Sequence, residues 1–198
     1  NFDLARGSIR SKSEAVLFEG YMDVISAYKA DVLNGVATLG TSITETQAKL
    51  LRRYVDNVII CYDSDKAGFE ASFRAAKLLQ AVGCNVRVAT MKDGLDPDDF
   101  INTYGADRFK KEIIELSDTY MAFMMKYLQK DYNLKLEGDR IQYVERVLDE
   151  ISKLDRLIER EHYLKEVATN FDLSFDTLVH EIDSRRKKFS LKQDSQNI

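Results

Sequence analysis

Short apolar runs alternate with helix-spaced segments over the first half of the chain. Val16-Leu17-Phe18 is a compact apolar run that stops at Glu19-Gly20, and Val24, Ile25, Tyr28 and Val32 then recur at helical spacing. Val36-Ala37-Thr38-Leu39 ends at Gly40. Helix-start chemistry follows, with either Ser42 and Glu45 or Thr44 and Gln47 as a capping box and Leu51 and Val55 continuing the apolar face. Val58-Ile59-Ile60-Cys61-Tyr62 is apolar throughout, as a strand covered on both sides requires. Ala67 to Val82 is an Ala-rich helix stopped by Gly83, and Val86-Arg87-Val88-Ala89 is a fourth strand. This order predicts an α/β fold: a mainly parallel four-strand sheet over residues 15–91, with helices on both faces and right-handed crossovers.

The pattern changes after Gly105. Eight of the nine glycines lie at or before that residue, and Pro97 is the only proline. Beyond it come stripes at helical spacing: Tyr120, Met121, Met124, Tyr127 and Leu128; Ile141, Val144, Leu148 and Ile151; Leu157, Leu164, Ala168 and Phe171; Phe175, Leu178, Val179 and Ile182. The expected organisation is an α/β domain over 15–105, an all-helical subdomain over 106–190 and a frayed tail over 191–198. Met121, Met124 and Met125 read as core filler.

Charge and composition narrow the function. Lys and Arg number 29 against 33 Asp and Glu, for a net charge of −4, so the totals do not describe a strongly basic nucleic-acid binder. The run Arg185-Arg186-Lys187-Lys188 is the local exception. Two cysteines, Cys61 and Cys84, without C-x-x-C spacing read as buried reduced thiols in a cytoplasmic protein. Two histidines leave little material for a His-based metal site or triad. No apolar run reaches the roughly 20 residues that cross a bilayer. Asn1 stands where an initiator Met would, which reads as a piece of a longer protein.

The candidate chemistry lies at the strand ends. In a parallel sheet, ligands bind outside the carboxyl ends of the strands. Here the first strand ends at Glu19, with Gly20 and Asp23 after it, and the third at Asp63-Ser64-Asp65. The fourth leads into Asp93-Gly94-Leu95-Asp96-Pro97-Asp98-Asp99, while the second ends in Gly40-Thr41-Ser42. Carboxylates gathered at one rim repel one another and raise one another's pKa, and a hard divalent cation relieves that repulsion. Each motif alone has a plainer reading. Asp96 can cap the helix that Pro97 begins, and the glycines can serve only as turn residues. Acids converging from three strands favour a metal site.

These motifs resemble those of a known family. Leu17-Phe18-Glu19-Gly20-Tyr21-Met22-Asp23-Val24 resembles the first motif of the toprim domain in bacterial DNA primases. Gly40-Thr41-Ser42 resembles the turn after the domain's second strand. Cys61-Tyr62-Asp63-Ser64-Asp65-Lys66-Ala67-Gly68 resembles its Asp-x-Asp motif, and Gly94-Leu95-Asp96-Pro97-Asp98-Asp99 its third. The wording is closest to primases of the Bacillus type. The resemblance implies a DNA-dependent RNA polymerase that makes primers on single-stranded DNA from ribonucleoside triphosphates. It implies Glu19, Asp63 and Asp65 as catalytic metal ligands for Mg²⁺ or Mn²⁺, two ions with nucleotide bound, and Asp23, Asp96 and Asp98 as supporting acids. Gly20, Gly40, Thr41, Ser42 and Lys66 are the candidate phosphate contacts. It also implies a monomer without zinc, and a zinc module, a basic N-terminal half and a helicase-binding domain outside this chain, residues 1–14 being the end of that half. The competing readings are a toprim nuclease or topoisomerase, and a binding module built on a helix-turn-helix over 168–182.

Overall fold

A computed structural model describes residues 1–40, 42–92 and 94–196, with 189–196 described by backbone alone. The elements run α1 (Phe2–Lys12), β1 (Glu14–Phe18), α2 (Tyr21–Lys29), β2 (Gly35–Ala37), α3 (Glu45–Arg52), β3 (Asn57–Ile60), α4 (Lys66–Ala81), β4 (Asn85–Val88), α5 (Pro97–Tyr104) and α6 (Ala106–Arg108). A π-helix (Phe109–Glu115), β5 (Asp118–Thr119), α7 (Tyr120–Gln129), α8 (Glu137–Ser152), α9 (Leu157–Phe171) and α10 (Phe175–Gln196) follow. The chain divides into two compact units, Asn1–Phe123 and Met124–Ile198.

The first unit holds one sheet in the order β2-β1-β3-β4-β5. Its first four strands are parallel, as the apolar runs predict, with Val16 opposite both Gly35 and Ile59 and Ile60 opposite Val88. Expected as four strands, the sheet has a fifth. Val88 and Arg87 pair antiparallel with Asp118 and Thr119. A two-residue strand carries no period for a sequence reading to detect. The alternation along the strands sends Val16, Phe18, Ile59 and Cys61 into one core with Val24 and Ala27 of α2, Phe100 of α5, and Phe109, Ile113 and Ile114 of the π-helix. The intervening residues Ala15, Leu17, Val58 and Ile60 are buried too, and α4 packs on β3 and β4. The compact unit therefore runs past Gly105, because the π-helix and β5 complete the core and the sheet.

One helix face differs from the sequence reading. The spacing of Val24, Ile25 and Tyr28 predicts a common buried face, yet Ile25 and Tyr28 are 43% and 53% exposed. The buried face of α2 is Asp23, Val24, Ser26 and Ala27 instead. Its outward stripe of Tyr21, Met22, Ile25 and Tyr28 is apolar, so periodicity alone could not tell the two faces apart. The start of α3 is settled locally: Thr44 and Gln47 make the capping box, Thr44 Oγ1 accepting from Gln47 N at 3.2 Å and Gln47 Oε1 from Thr44 N at 2.8 Å. Cys61 and Cys84 are free and buried, and burial pushes both thiols up.

The second unit packs Tyr143, Val144, Val147, Leu148 and Ile151 of α8 with Tyr163, Leu164 and Val167 of α9 and Leu178 and Ile182 of α10. Met121, Met124 and Met125 are buried, as filler should be, while Ile141 and Leu157 are exposed members of their stripes. Asp172, in the left-handed region at φ 54°, ends α9. Helix α10 runs to Gln196 through most of the tail expected to fray, and residues 197 and 198 lie outside the described residues. Two of the basic-run arginines face inward. Arg185 pairs with Asp149 at 2.5 Å, and Arg186 Nη1 donates to the carbonyls of Ser152 (2.7 Å) and Leu154 (3.1 Å). Arg160 Nη1 donates to the same Leu154 carbonyl at 2.6 Å. Such charge-assisted bonds satisfy carbonyls that the end of α8 leaves without helical partners. Arg186→Ala is expected to lower the stability of this unit by about 1.5–3 kcal/mol, against near-neutral Lys188→Ala, in urea titrations followed by circular dichroism.

Candidate metal centre

The sheet's hydrogen bonds continue past the ends of the strands and fix the backbone that carries the acids. Thr38 N–H donates to the Phe18 carbonyl (3.1 Å), Gly40 N–H to the Glu19 carbonyl (3.2 Å), Cys61 N–H to the Leu17 carbonyl (2.8 Å) and Ala89 N–H to the Ile60 carbonyl (2.8 Å). Gly40 reaches this bond at φ +72°, where a glycine is the unstrained choice. Glu19, Gly40 and Asp63 thus leave adjacent strands on one rim.

Four of the acids accept from backbone N–H groups, and Asp98 from side chains. Asp65 is the N-cap of α4, its Oδ1 accepting from Gly68 N at 2.7 Å, and Asp96 caps α5, its Oδ1 accepting from Asp99 N at 2.7 Å with Pro97 at the first helical position. Glu19 accepts from the backbone N–H of Asp63. Asp23 accepts from Gly20 N at 3.1 Å and from the backbone N–H of Asp98. Asp98 Oδ1 accepts from Ser26 Oγ and, at 3.1 Å, from Asn102 Nδ2.

The electrostatics follow from this crowding. Burial raises the Glu19 carboxyl above its ordinary value, and the charges of Asp63, Asp65 and Asp23 raise it further. Burial raises Asp63, with Asp96 and Asp65 adding to it. Asp23, only 7% exposed, is pushed up to about 6 by burial and by Asp63 and Asp96, against the lowering effect of its two backbone donors. Among the described residues, Glu19 Oε1 is buried and has no hydrogen-bond partner. A buried carboxylate oxygen that lacks a donor and sits in a field of like charges fits a hard cation.

Glu19, Asp23, Asp63, Asp65 and Asp96 lie near enough for the charges of four of them to act on Glu19, Asp23 or Asp63. Among the described residues, however, no three acidic, histidine or cysteine side chains group closely enough to hold one metal ion. The single oxygen-rich cluster expected of Glu19, Asp63 and Asp65 is therefore not drawn into one ligand shell, since like charges repel and Glu19 and Asp65 are turned toward backbone donors. Mg²⁺ commonly takes one or two carboxylates and completes its shell with water and substrate phosphate, which this spread accommodates. Gly20 is half-buried, and Gly40, Ser42 and Lys66 are exposed, while Thr41 and Asp93 lie outside the described residues.

Residues 16–101 match the family model described as Toprim-like, and residues 121–176 match the model described as the DnaB-helicase binding domain of primase. The chain is 57% identical over 180 residues to a DNA primase of Halalkalibacterium halodurans, covering 91% of this chain and 30% of that protein. The chain belongs to the bacterial DNA primase family.

It spans about 30% of the length of the curated primases it matches. Two solved primases share its fold. The Aquifex aeolicus primase, solved with its zinc-binding and RNA polymerase domains, is 28% identical with a TM-score of 0.65, covering 89% of this chain and 41% of that one. A DnaG primase catalytic domain bound to single-stranded DNA is 28% identical with a TM-score of 0.67, covering 83% and 53%. Toprim primases are metal-dependent. The match over 121–176 corrects one expectation. A segment resembling a helicase-binding domain of primase lies within this chain, in α7 to α9 and the start of α10, not outside it. Its helical stripes looked like ordinary bundle packing, and nothing in their periodicity distinguishes a partner-binding bundle from any other.

Three residues of this primase site escaped the sequence reading. Ser64, between the paired acids, is buried, its Oγ accepting from Met91 N at 2.7 Å while its own N–H donates to the Leu95 carbonyl at 3.2 Å. Ser26 holds Asp98. Gly68 lies so close to Asp63 that a Cβ there would be 2.0 Å from the Asp63 carbonyl oxygen. The Gly68 contact generates a prediction: Gly68→Ala pushes the Asp63 backbone off the rim and costs about 1–3 kcal/mol of stability from overpacking, read by thermal melting. A second concerns pH. A carboxyl whose folded pKa lies above its unfolded one contributes stability that is fully present below the unfolded value of 3.8 and lost as the pH rises through about 6. The unfolding free energy of metal-free protein is therefore expected to fall by about 2 kcal/mol between pH ~4 and ~7 on account of Asp23. Asp23→Asn flattens that slope, which urea titrations across this range measure.

Proposed function

We propose that this chain carries the acidic face on which a primase joins ribonucleotides into RNA primers on a single-stranded DNA template. The observation that carries the reading is the buried Glu19 Oε1, without a donor among the described residues, at a rim shared with Asp63 and Asp65, in a chain that matches the Toprim-like family.

Glu19, Asp63 and Asp65 would hold Mg²⁺ or Mn²⁺, with Asp23, Asp96 and Asp98 supporting the charge at the rim. Bound there, the cations would neutralise phosphate charge and lower the pKa of the attacking 3′-hydroxyl. That hydroxyl, giving up its proton to solvent, would attack the α-phosphorus of an incoming ribonucleoside triphosphate, the new O–P bond forming as the bond from the α-phosphorus to the bridging oxygen breaks and pyrophosphate leaves. The chain's own contribution is positioning. Strand-end hydrogen bonds fix the acid loops, Asp65 and Asp96 are locked as helix caps, and the raised carboxyls bind a cation in place of protons. Gly20, Gly40, Thr41, Ser42 and Lys66 are the residues proposed to face nucleotide phosphates. The family match over 121–176 supports a contact between α7–α9 and a replicative helicase. Among the described residues no helix is long and apolar enough to cross a membrane. The cytoplasmic location we propose rests on the DNA primase relatives, and the monomer on the family resemblance alone.

The test uses the complete primase. Asp63→Ala is expected to lower primer synthesis by about two to three orders of magnitude while the metal-free fold melts at or above the wild-type temperature, because one repulsive charge is gone. Asp65→Ala and Glu19→Gln are expected to follow it. Asp96→Ala is expected to lose about 1 kcal/mol of stability as an N-cap and to be milder in activity. Near-normal primer synthesis by Asp63→Ala overturns the reading.

A further inference from the structure

Helices α2 and α5 exchange polar groups in both directions. Asp23 of α2 accepts the backbone N–H of Asp98, in the first turn of α5. Ser26, one turn further along α2, returns a hydroxyl hydrogen bond to Asp98 Oδ1. Ser26 is 6% exposed, so its hydroxyl is not shared with bulk solvent. Asn102, one turn along α5, donates to the same Oδ1 at 3.1 Å. Two donors on one carboxylate oxygen occupy both of its in-plane lone pairs. The carboxylate is then fixed in rotation, and Oδ2 is the oxygen left with open acceptor capacity among the described residues.

We propose that Ser26 is a positioning residue of the acidic rim: its hydroxyl holds Asp98 in the rotamer that presents Oδ2 to a divalent cation or to the water of its shell. The inference rests on the reading of the rim as a cation site. It separates two roles that the sequence merges. Asp98 is an acid among several, whereas Ser26 is a buried hydroxyl on the inner face of α2, where small residues ordinarily serve only packing. The bond is also specific in kind. A hydroxyl can donate to a carboxylate at this depth, an Ala methyl cannot, and a Thr hydroxyl retains the donor. Partners that orient a ligating carboxylate change metal affinity by about 10–100-fold when removed.

The experiment measures Mn²⁺ binding to the 198-residue chain by calorimetry and by the loss of the free-ion electron paramagnetic resonance signal, with circular dichroism melts of every variant. Ser26→Ala is expected to weaken Mn²⁺ by about tenfold with its helical signal intact, and Ser26→Thr to restore most of the affinity. In an Asp98→Asn background, Ser26→Ala is expected to add nothing further, because the hydroxyl acts through that carboxylate. Wild-type affinity in Ser26→Ala, with binding still lost in Asp63→Ala, overturns the inference alone. A Ser26→Ala effect that persists undiminished beside Asp98→Asn, as simple loss of packing would make it, also overturns the inference alone. A wild-type chain that takes up no Mn²⁺, or an Asp63→Ala chain that binds as well as wild type, overturns the reading of the rim and this inference together.

Discussion

Like-charge repulsion among carboxylates is the constraint around which the first unit is arranged. Glu19, Asp23 and Asp63 all have raised carboxyls, with burial the largest cause and neighbouring acids adding to it. A fold that gathers such groups must hold each one by something other than its neighbours. Here the holders are backbone N–H groups at helix starts and strand ends: Gly20 and Asp98 for Asp23, Asp63 for Glu19, Gly68 for Asp65 and Asp99 for Asp96. Helix N-termini favour negative charge, so the parallel α/β plan, which aims helix starts at the carboxyl ends of strands, suits an acidic rim.

The sheet supplies the rigidity this needs. Ladder hydrogen bonds run one or two residues beyond the strands, into Glu19 and Cys61, and Ser64 ties the Asp63–Asp65 loop to Met91 and Leu95. The acids therefore sit on short, doubly anchored loops. Gly68 shows how tight the packing is, since α4 approaches the Asp63 backbone too closely for any side chain at that position.

Much of this was legible in the sequence, and the rest was not for identifiable reasons. Short apolar runs marked β1 to β4, because buried parallel strands have few other solutions. Asp96-Pro97 and Thr44-x-x-Gln47 marked helix starts, because capping is local chemistry. The acids were legible as a rim, since topology alone sends strand ends to one side. What escaped depends on distant partners. The two-residue β5 has no period of its own, and α1 and the π-helix are fixed by what they cover. The outward Ile25 and Tyr28 carry the same apolar signal as inward residues. Ser26 and Ser64 look like any other serine until Asp98 and Met91, far along the chain, are brought beside them. The inward-facing Arg185 and Arg186 likewise read as part of a local basic run until α8 lies alongside.

The π-helix has a consequence for how such proteins can be divided and recombined. The recognisable toprim segment closes at residue 101, but Phe109, Ile113 and Ile114 fill the hydrophobic cluster beneath Phe18 and Ile59, and Asp118–Thr119 cover the open edge of β4. Ala5 and Ile9 of α1 are buried at the other end of the unit. A unit of inheritance and a unit of folding are therefore different lengths of this chain. A segment cut at the borders of the shared motifs would carry every acid of the rim, yet would expose a wet apolar face and a bare strand edge, the two features that drive self-association.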